Sequence, residues 1–218
     1  MGTLPAWFDW AVLMAALGVA LLFKPWLPLR HEPLQSPWMG AMVLLPCVWW
    51  TQHLLPNGLA LHVTGACLLV LMFGWPLAIW SLMPIAFVAK LIEARTWPEP
   101  DALVTHLVWL GVIPATLALI MGLAVRRWMP GHLFVYILGR GFVVTALAVT
   151  LTGYFAIFAQ HKPDALSTEE WMLANWLLGW GEAISTGMIT AIFVAFRPEW
   201  MLTYSDARYL PGASGKRP

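Results

Sequence analysis

Seven apolar stretches, each close to the length of a bilayer crossing, divide this sequence and restrict it to very few folds. A helix spanning ~30 Å of hydrocarbon needs about 20 mostly apolar residues. The runs are Trp7 to Phe23, Trp38 to Leu55, Leu59 to Trp75, Pro76 to Ile92, Leu103 to Val125, Leu133 to Ala159 and Trp171 to Phe196. The breaks carry turn chemistry: Pro25, Pro28 and Pro33 punctuate the first, and Pro56-Asn57-Gly58 forms the second. Gly74-Trp75-Pro76 is the weakest, so runs three and four read either as two short helices or as one bent segment with an interfacial piece. The expected fold is an all-α polytopic transmembrane bundle of seven helices. It forms one domain over residues 1–197, followed by a polar C-terminal tail over 198–218 whose end is expected to be disordered.

Composition agrees. The chain is 60% hydrophobic and 11% charged, against about 25% charged in soluble domains. Fifteen tryptophans fit a membrane protein, because the indole favours the headgroup interface. The formal net charge is +1 and the basic residues form no stripe, which excludes nucleic acid as a partner. The first run has no basic leader and carries Asp9 early, so it reads as a retained helix rather than a cleaved signal. Cys47 and Cys67 lie in apolar runs and read as buried, reduced thiols.

Basic residues orient the bundle. With the N-terminus outside, the inner segments hold Lys24, Arg30, Arg126, Arg127, Arg197, Arg208, Lys216 and Arg217. The outer ones hold Lys90, Arg95 and Lys162, which makes eight against three. The expected orientation is N-out and C-in. It brings Asp9, His53, His62 and His106 near the outer face, with His161 on the same side, whereas His31 and His132 fall inside.

Two constellations follow. Imidazole ligates cobalt, nickel, copper and zinc, so outer-face histidines from different helices are candidates to converge on a divalent transition metal. Taken singly, an interfacial histidine more often hydrogen-bonds water or headgroups. His62 differs because it lies inside a run, beside Thr64 and Gly65, and an ionisable residue within a membrane helix is a functional candidate by default. The candidate metal ligands are therefore His62, His53, His106 and Asp9. The second constellation is Arg140 in run six and Glu182 in run seven. They have opposite signs in neighbouring helices, and either charge alone is costly to bury, so they are expected to pair, directly or through water. Small-xxx-small steps at Ala11/Ala15, Ala16/Ala20, Gly187/Ala191 and Ala191/Ala195 favour close helix approach. No Walker A loop, Gly-x-Ser-x-Gly elbow or His-Glu-x-x-His motif occurs, so no enzymatic activity is expected and an energy source has to be a separate ATPase.

Two segments resemble a known family. His62-Val63-Thr64-Gly65-Ala66, followed by Leu71-Met72-Phe73-Gly74-Trp75-Pro76, is similar to the His-Pro-Thr-Gly and Phe-Gly-Pro stretches of the CbiM/NikM proteins. Gly181-Glu182-Ala183-Ile184-Ser185-Thr186-Gly187, leading to Arg197-Pro198-Glu199, resembles their Gly-Glu-Gly-Leu-x-Thr segment and terminal Arg-Pro-Glu/Asp. The resemblance implies a substrate-capture subunit of an energy-coupling factor transporter for cobalt or nickel. Such a subunit sits in a bacterial inner membrane and works with a transmembrane coupling subunit and ATPase subunits. In metal-capturing members a Met-His opens the chain and joins a helix-three histidine around the ion. Here Met1-Gly2-Thr3 opens it, marking a divergent branch, and only His62 carries over. His53, His106 and Asp9 are the candidates to complete a ligand set. The competing reading is a non-transporting accessory or assembly subunit of a larger membrane complex, docked through its small-residue faces.

Overall fold

The computed structural model describes residues 6–51, 63–94, 97–159, 167–205 and 209. Among these the chain is helical throughout, with no strands. The helices are α1 (Ala6–Leu22), α2 (Glu32–Thr51), α3 (Ala66–Phe73) and α4 (Trp75–Ala94), then α5 (Pro100–Leu107), α6 (Ile113–Trp128), α7 (Val144–Phe158) and α8 (Thr168–Phe196). A π-helical stretch, Val108–Val112, joins α5 to α6, and another, Val135–Val143, leads into α7. The α5–α6 rod and the α7 rod are therefore continuous, and the eight labels describe seven helices. Among the described residues, four are long and apolar enough to cross a membrane: Trp75–Glu93, Pro100–Trp128, Val135–Phe158 and Thr168–Phe196. Trp7–Leu22 is a shorter apolar helix. The protein is an integral membrane protein.

Several helix boundaries shift from the expectation, and three of the differences have a local reason. Helix α2 begins at Glu32, six residues before Trp38, because a proline such as Pro33 is accommodated in the first turn of a helix, where N–H groups lack intrahelical partners anyway. Helix α8 begins at Thr168 because Ser167 and Glu170 form a reciprocal capping box. Ser167 N–H donates to the Glu170 carboxylate at 2.8 Å, and Glu170 N–H donates to Ser167 Oγ at 3.2 Å. The third difference is the largest. Among the described residues, run three contributes the eight-residue helix α3, ~12 Å long at 1.5 Å per residue. That is less than half a bilayer crossing.

This half-helix forms the centre of the bundle. All its residues except Leu68 are buried, and α4, α6 and α8 pack around it. A helix apolar on every side has to be enclosed. Gly74 alone separates α3 from α4, at φ +76° and ψ 159°, a conformation open essentially to glycine only. Helices α7 and α8 pack closely: a Cβ added at Gly179 would lie 2.6 Å from the Ala146 carbonyl oxygen, and one at Gly187 would lie 3.3 Å from the Phe142 ring. The Gly187 step of the small-residue pattern thus serves packing inside the bundle, while Ala11 and Ala15 lie on the exposed face of α1.

Tryptophans do more than line the interfaces. Trp7, Trp97 and Trp128 are exposed near helix ends, as the belt expectation requires. Six others are hydrogen-bonding struts between elements. Trp10 donates to Asp101 (2.8 Å), Trp38 to Ser81 (2.8 Å) and Trp49 to the Thr64 carbonyl (2.7 Å). Trp75 donates to Thr116 (3.1 Å), Trp109 to Asp9 (3.2 Å) and Trp171 to the Gly153 carbonyl (2.8 Å). Both cysteines are free thiols. Cys67 is buried, but Cys47 is exposed on α2 rather than buried as expected.

Candidate functional site

The broken start of α3 organises the site. Val63, Thr64 and Gly65 are non-helical, and Gly65 adopts the left-handed conformation at φ +64°. A chain that stops being helical inside a bundle leaves N–H groups that need partners. Glu182 of α8 supplies them. Its carboxylate accepts from Thr64 N–H at 2.8 Å, Thr64 Oγ1 at 2.6 Å and Gly65 N–H at 3.0 Å. The Thr64 hydroxyl oxygen in turn accepts from Ala66 N–H at 3.2 Å. Glu182 is only 1% exposed. A buried anion at a helix N-terminus interacts favourably with the helix dipole as well as with the N–H donors.

The other end of α3 is capped from the C-terminal segment. Leu202 N–H donates to the Met72 carbonyl at 2.8 Å, and Thr203 Oγ1 donates to the Leu71 carbonyl at 2.7 Å. The Tyr136 hydroxyl shares a 2.8 Å hydrogen bond with Thr203 Oγ1. Of the polar tail expected after Pro198, residues 198–205 therefore pack onto the bundle, and Met201 and Tyr209 are buried.

Arg140 and Glu182 make no direct contact. Gly141, next to Arg140, packs against Thr190, eight residues beyond Glu182 on α8. At 1.5 Å per residue that is ~12 Å along the axis, too far for a direct contact. Arg140 is buried, donates to the Thr203 carbonyl at 3.5 Å and lies over the Tyr136 ring, 5.4 Å from its centroid.

The metal-ligand candidates divide by position. His53 and His62 lie outside the described residues. Asp9 is buried in α1, where it accepts from Thr105 Oγ1 at 2.7 Å and from Trp109 Nε1 at 3.2 Å, tying α1 to the α5–α6 rod. His106 follows Thr105 and meets Trp49 edge-on, with ring centroids 5.3 Å apart. Trp49 is 1% exposed, and its indole N–H holds the Thr64 carbonyl. One buried indole thus bridges His106 and the residues just after His62. Among the described residues no three of His, Cys, Asp and Glu come together. Sequence reasoning had Thr64 and Gly65 beside His62, but missed Trp49, Thr105, Trp109 and Thr203. Their partners lie 15 to 132 residues away, beyond any local pattern.

The model of the CbiM family, described as the cobalt uptake substrate-specific transmembrane region, matches residues 2–200. The chain belongs to the CbiM family. The match covers the helices and Glu182, which caps the start of α3, and ends just before Leu202 and Thr203, which cap its other end. CbiM proteins are transmembrane components of a transporter. No curated protein and no solved structure matches this CbiM member.

Proposed function

We propose that this protein is the substrate-capture subunit of an energy-coupling factor-type transporter, and that it binds a divalent transition metal, cobalt or nickel, as cargo at the broken start of α3. The observation that carries the reading is the buried Glu182 carboxylate holding Thr64 and Gly65, two and three residues after His62. Fixing Thr64 and Gly65 this way gives a rigid base two residues after His62, and rigid support is what a ligand set requires. His62 is the leading ligand. His106 is the next candidate because Trp49 connects it to the same segment. His53 and Asp9 complete the candidate set, with Asp9 already engaged by α5–α6 donors.

The bias of basic residues supports an N-out, C-in orientation, with the capture face outside and residues 198–205 on the cytoplasmic side of a bacterial inner membrane. Energy then comes from separate ATPase subunits through a transmembrane coupling subunit. The test is a thermal-shift measurement on the purified protein with Co²⁺ and Ni²⁺. The wild type gains stability from the ion, and His62→Ala loses that gain. Absence of divalent-metal binding at micromolar concentration, together with a silent His62→Ala, would sink the capture role.

A further inference from the structure

At the end of the bundle opposite the Glu182 site, a cavity of about 340 Å³ opens between α3, α6, the π-helical start of α7 and residues 202–205. Arg126, Arg140, Tyr204 and Ser205 line it together with the apolar Leu119 and Leu123, and no carboxylate is among its described lining residues. Arg140 is 6% exposed, and its Nε has no hydrogen-bond partner. The guanidinium packs against the bare backbone of Gly122, where an added Cβ would lie 3.2 Å from Nε. It is carried on the nine-residue π-helical stretch, an irregularity that recurs at functional sites.

Among the described residues no carboxylate pairs with Arg140, and a buried guanidinium without a counter-ion is costly in a membrane protein. With Glu182 at another level, the open space beside Arg140 is where a compensating anion fits. A guanidinium fork matches phosphate oxygens in a bidentate way, and Arg126 adds a second positive charge at the same cavity. We propose that this cavity is a binding site for a phosphate group, presented either by an anionic lipid headgroup or as free phosphate. The leucine wall suits the apolar part of a lipid, and basic pockets between membrane helices suit its headgroup.

The protein in phosphatidylcholine nanodiscs, in phosphate-free buffer, provides the baseline melting temperature. One arm adds phosphatidylglycerol to the discs and the other adds inorganic phosphate. Stabilisation in the first arm alone assigns the site to a lipid headgroup, and stabilisation by inorganic phosphate assigns it to the free anion. In either case Arg140→Gln and Arg126→Gln weaken the response about tenfold, the loss of roughly one charge-assisted hydrogen bond. Arg126 is exposed, so Arg126→Gln carries the test if Arg140→Gln fails to fold. Arg127, exposed and outside the cavity lining, controls for general surface charge. No stabilisation in either arm would overturn the proposal, as would an equal loss in Arg127→Gln and Arg126→Gln.

Discussion

At the residue scale, Glu182 has the largest consequences. Its two oxygens accept three hydrogen bonds, two of them from backbone N–H groups with no alternative partner in a buried setting. A glutamine at this position offers one acceptor oxygen and turns its NH₂ toward a donor. Glu182→Gln is therefore expected to destabilise the fold by about 1–3 kcal/mol, the usual penalty for leaving a buried donor unsatisfied. A lower melting temperature in the same lipid or detergent checks it, and an unchanged value would contradict the assignment. Trp49 is the second residue of this kind. Trp49→Phe keeps an aromatic ring against His106 but removes the N–H held by the Thr64 carbonyl. The expected loss is about 1 kcal/mol, one net hydrogen bond. A metal response weakened beyond that loss of stability would tie Trp49 to the capture segment.

At the element scale, α3 is a half-helix closed at both ends by distant chain, through Glu182 at its start and Leu202 and Thr203 at its end. Gly74 lets the chain turn at once into α4. A side chain at Gly74 forces a backbone region that costs of order 1–3 kcal/mol, and Gly74→Ala should lower thermal stability by that amount. Gly179→Ala tests the α7–α8 contact. Its methyl would meet the Ala146 carbonyl, so the helices must separate, and a loss of about 1–3 kcal/mol or more is expected. An α7–α8 pair that accepts this change with unaltered melting would contradict the observed packing. Most helices were legible in the sequence because a bilayer demands long apolar runs, and α1 and α4–α8 fall close to the expected spans. Helix α3 was not, because hydropathy cannot distinguish an apolar segment that spans from one that starts halfway. The extra turns of α2 and α8 came from a first-turn proline and a capping box, which hydropathy also ignores.

At the scale of the molecule, two polar sites lie at different levels of one apolar bundle. The sequence showed both charges, Arg140 and Glu182, and paired them by sign and helix order. The structure separates them by two turns of α8, which only the register of α7 against α8 could reveal. His62, Thr64 and Gly65 were legible as a group because they are contiguous. Trp49 and Thr203 were not, since their roles depend on partners brought together only by folding. The central claim is that the Glu182-capped start of α3 presents His62 to a metal ion. Equilibrium titration of Co²⁺ into the purified wild type, His62→Ala and Glu182→Gln tests it most directly. The wild type is expected to bind at micromolar concentration or tighter, and His62→Ala is expected not to bind in that range. Folded Glu182→Gln is expected to bind roughly 10–100-fold more weakly, as when support behind a ligand is lost. Wild-type binding that neither substitution changes would contradict the claim, and so would a wild type that does not bind cobalt at all.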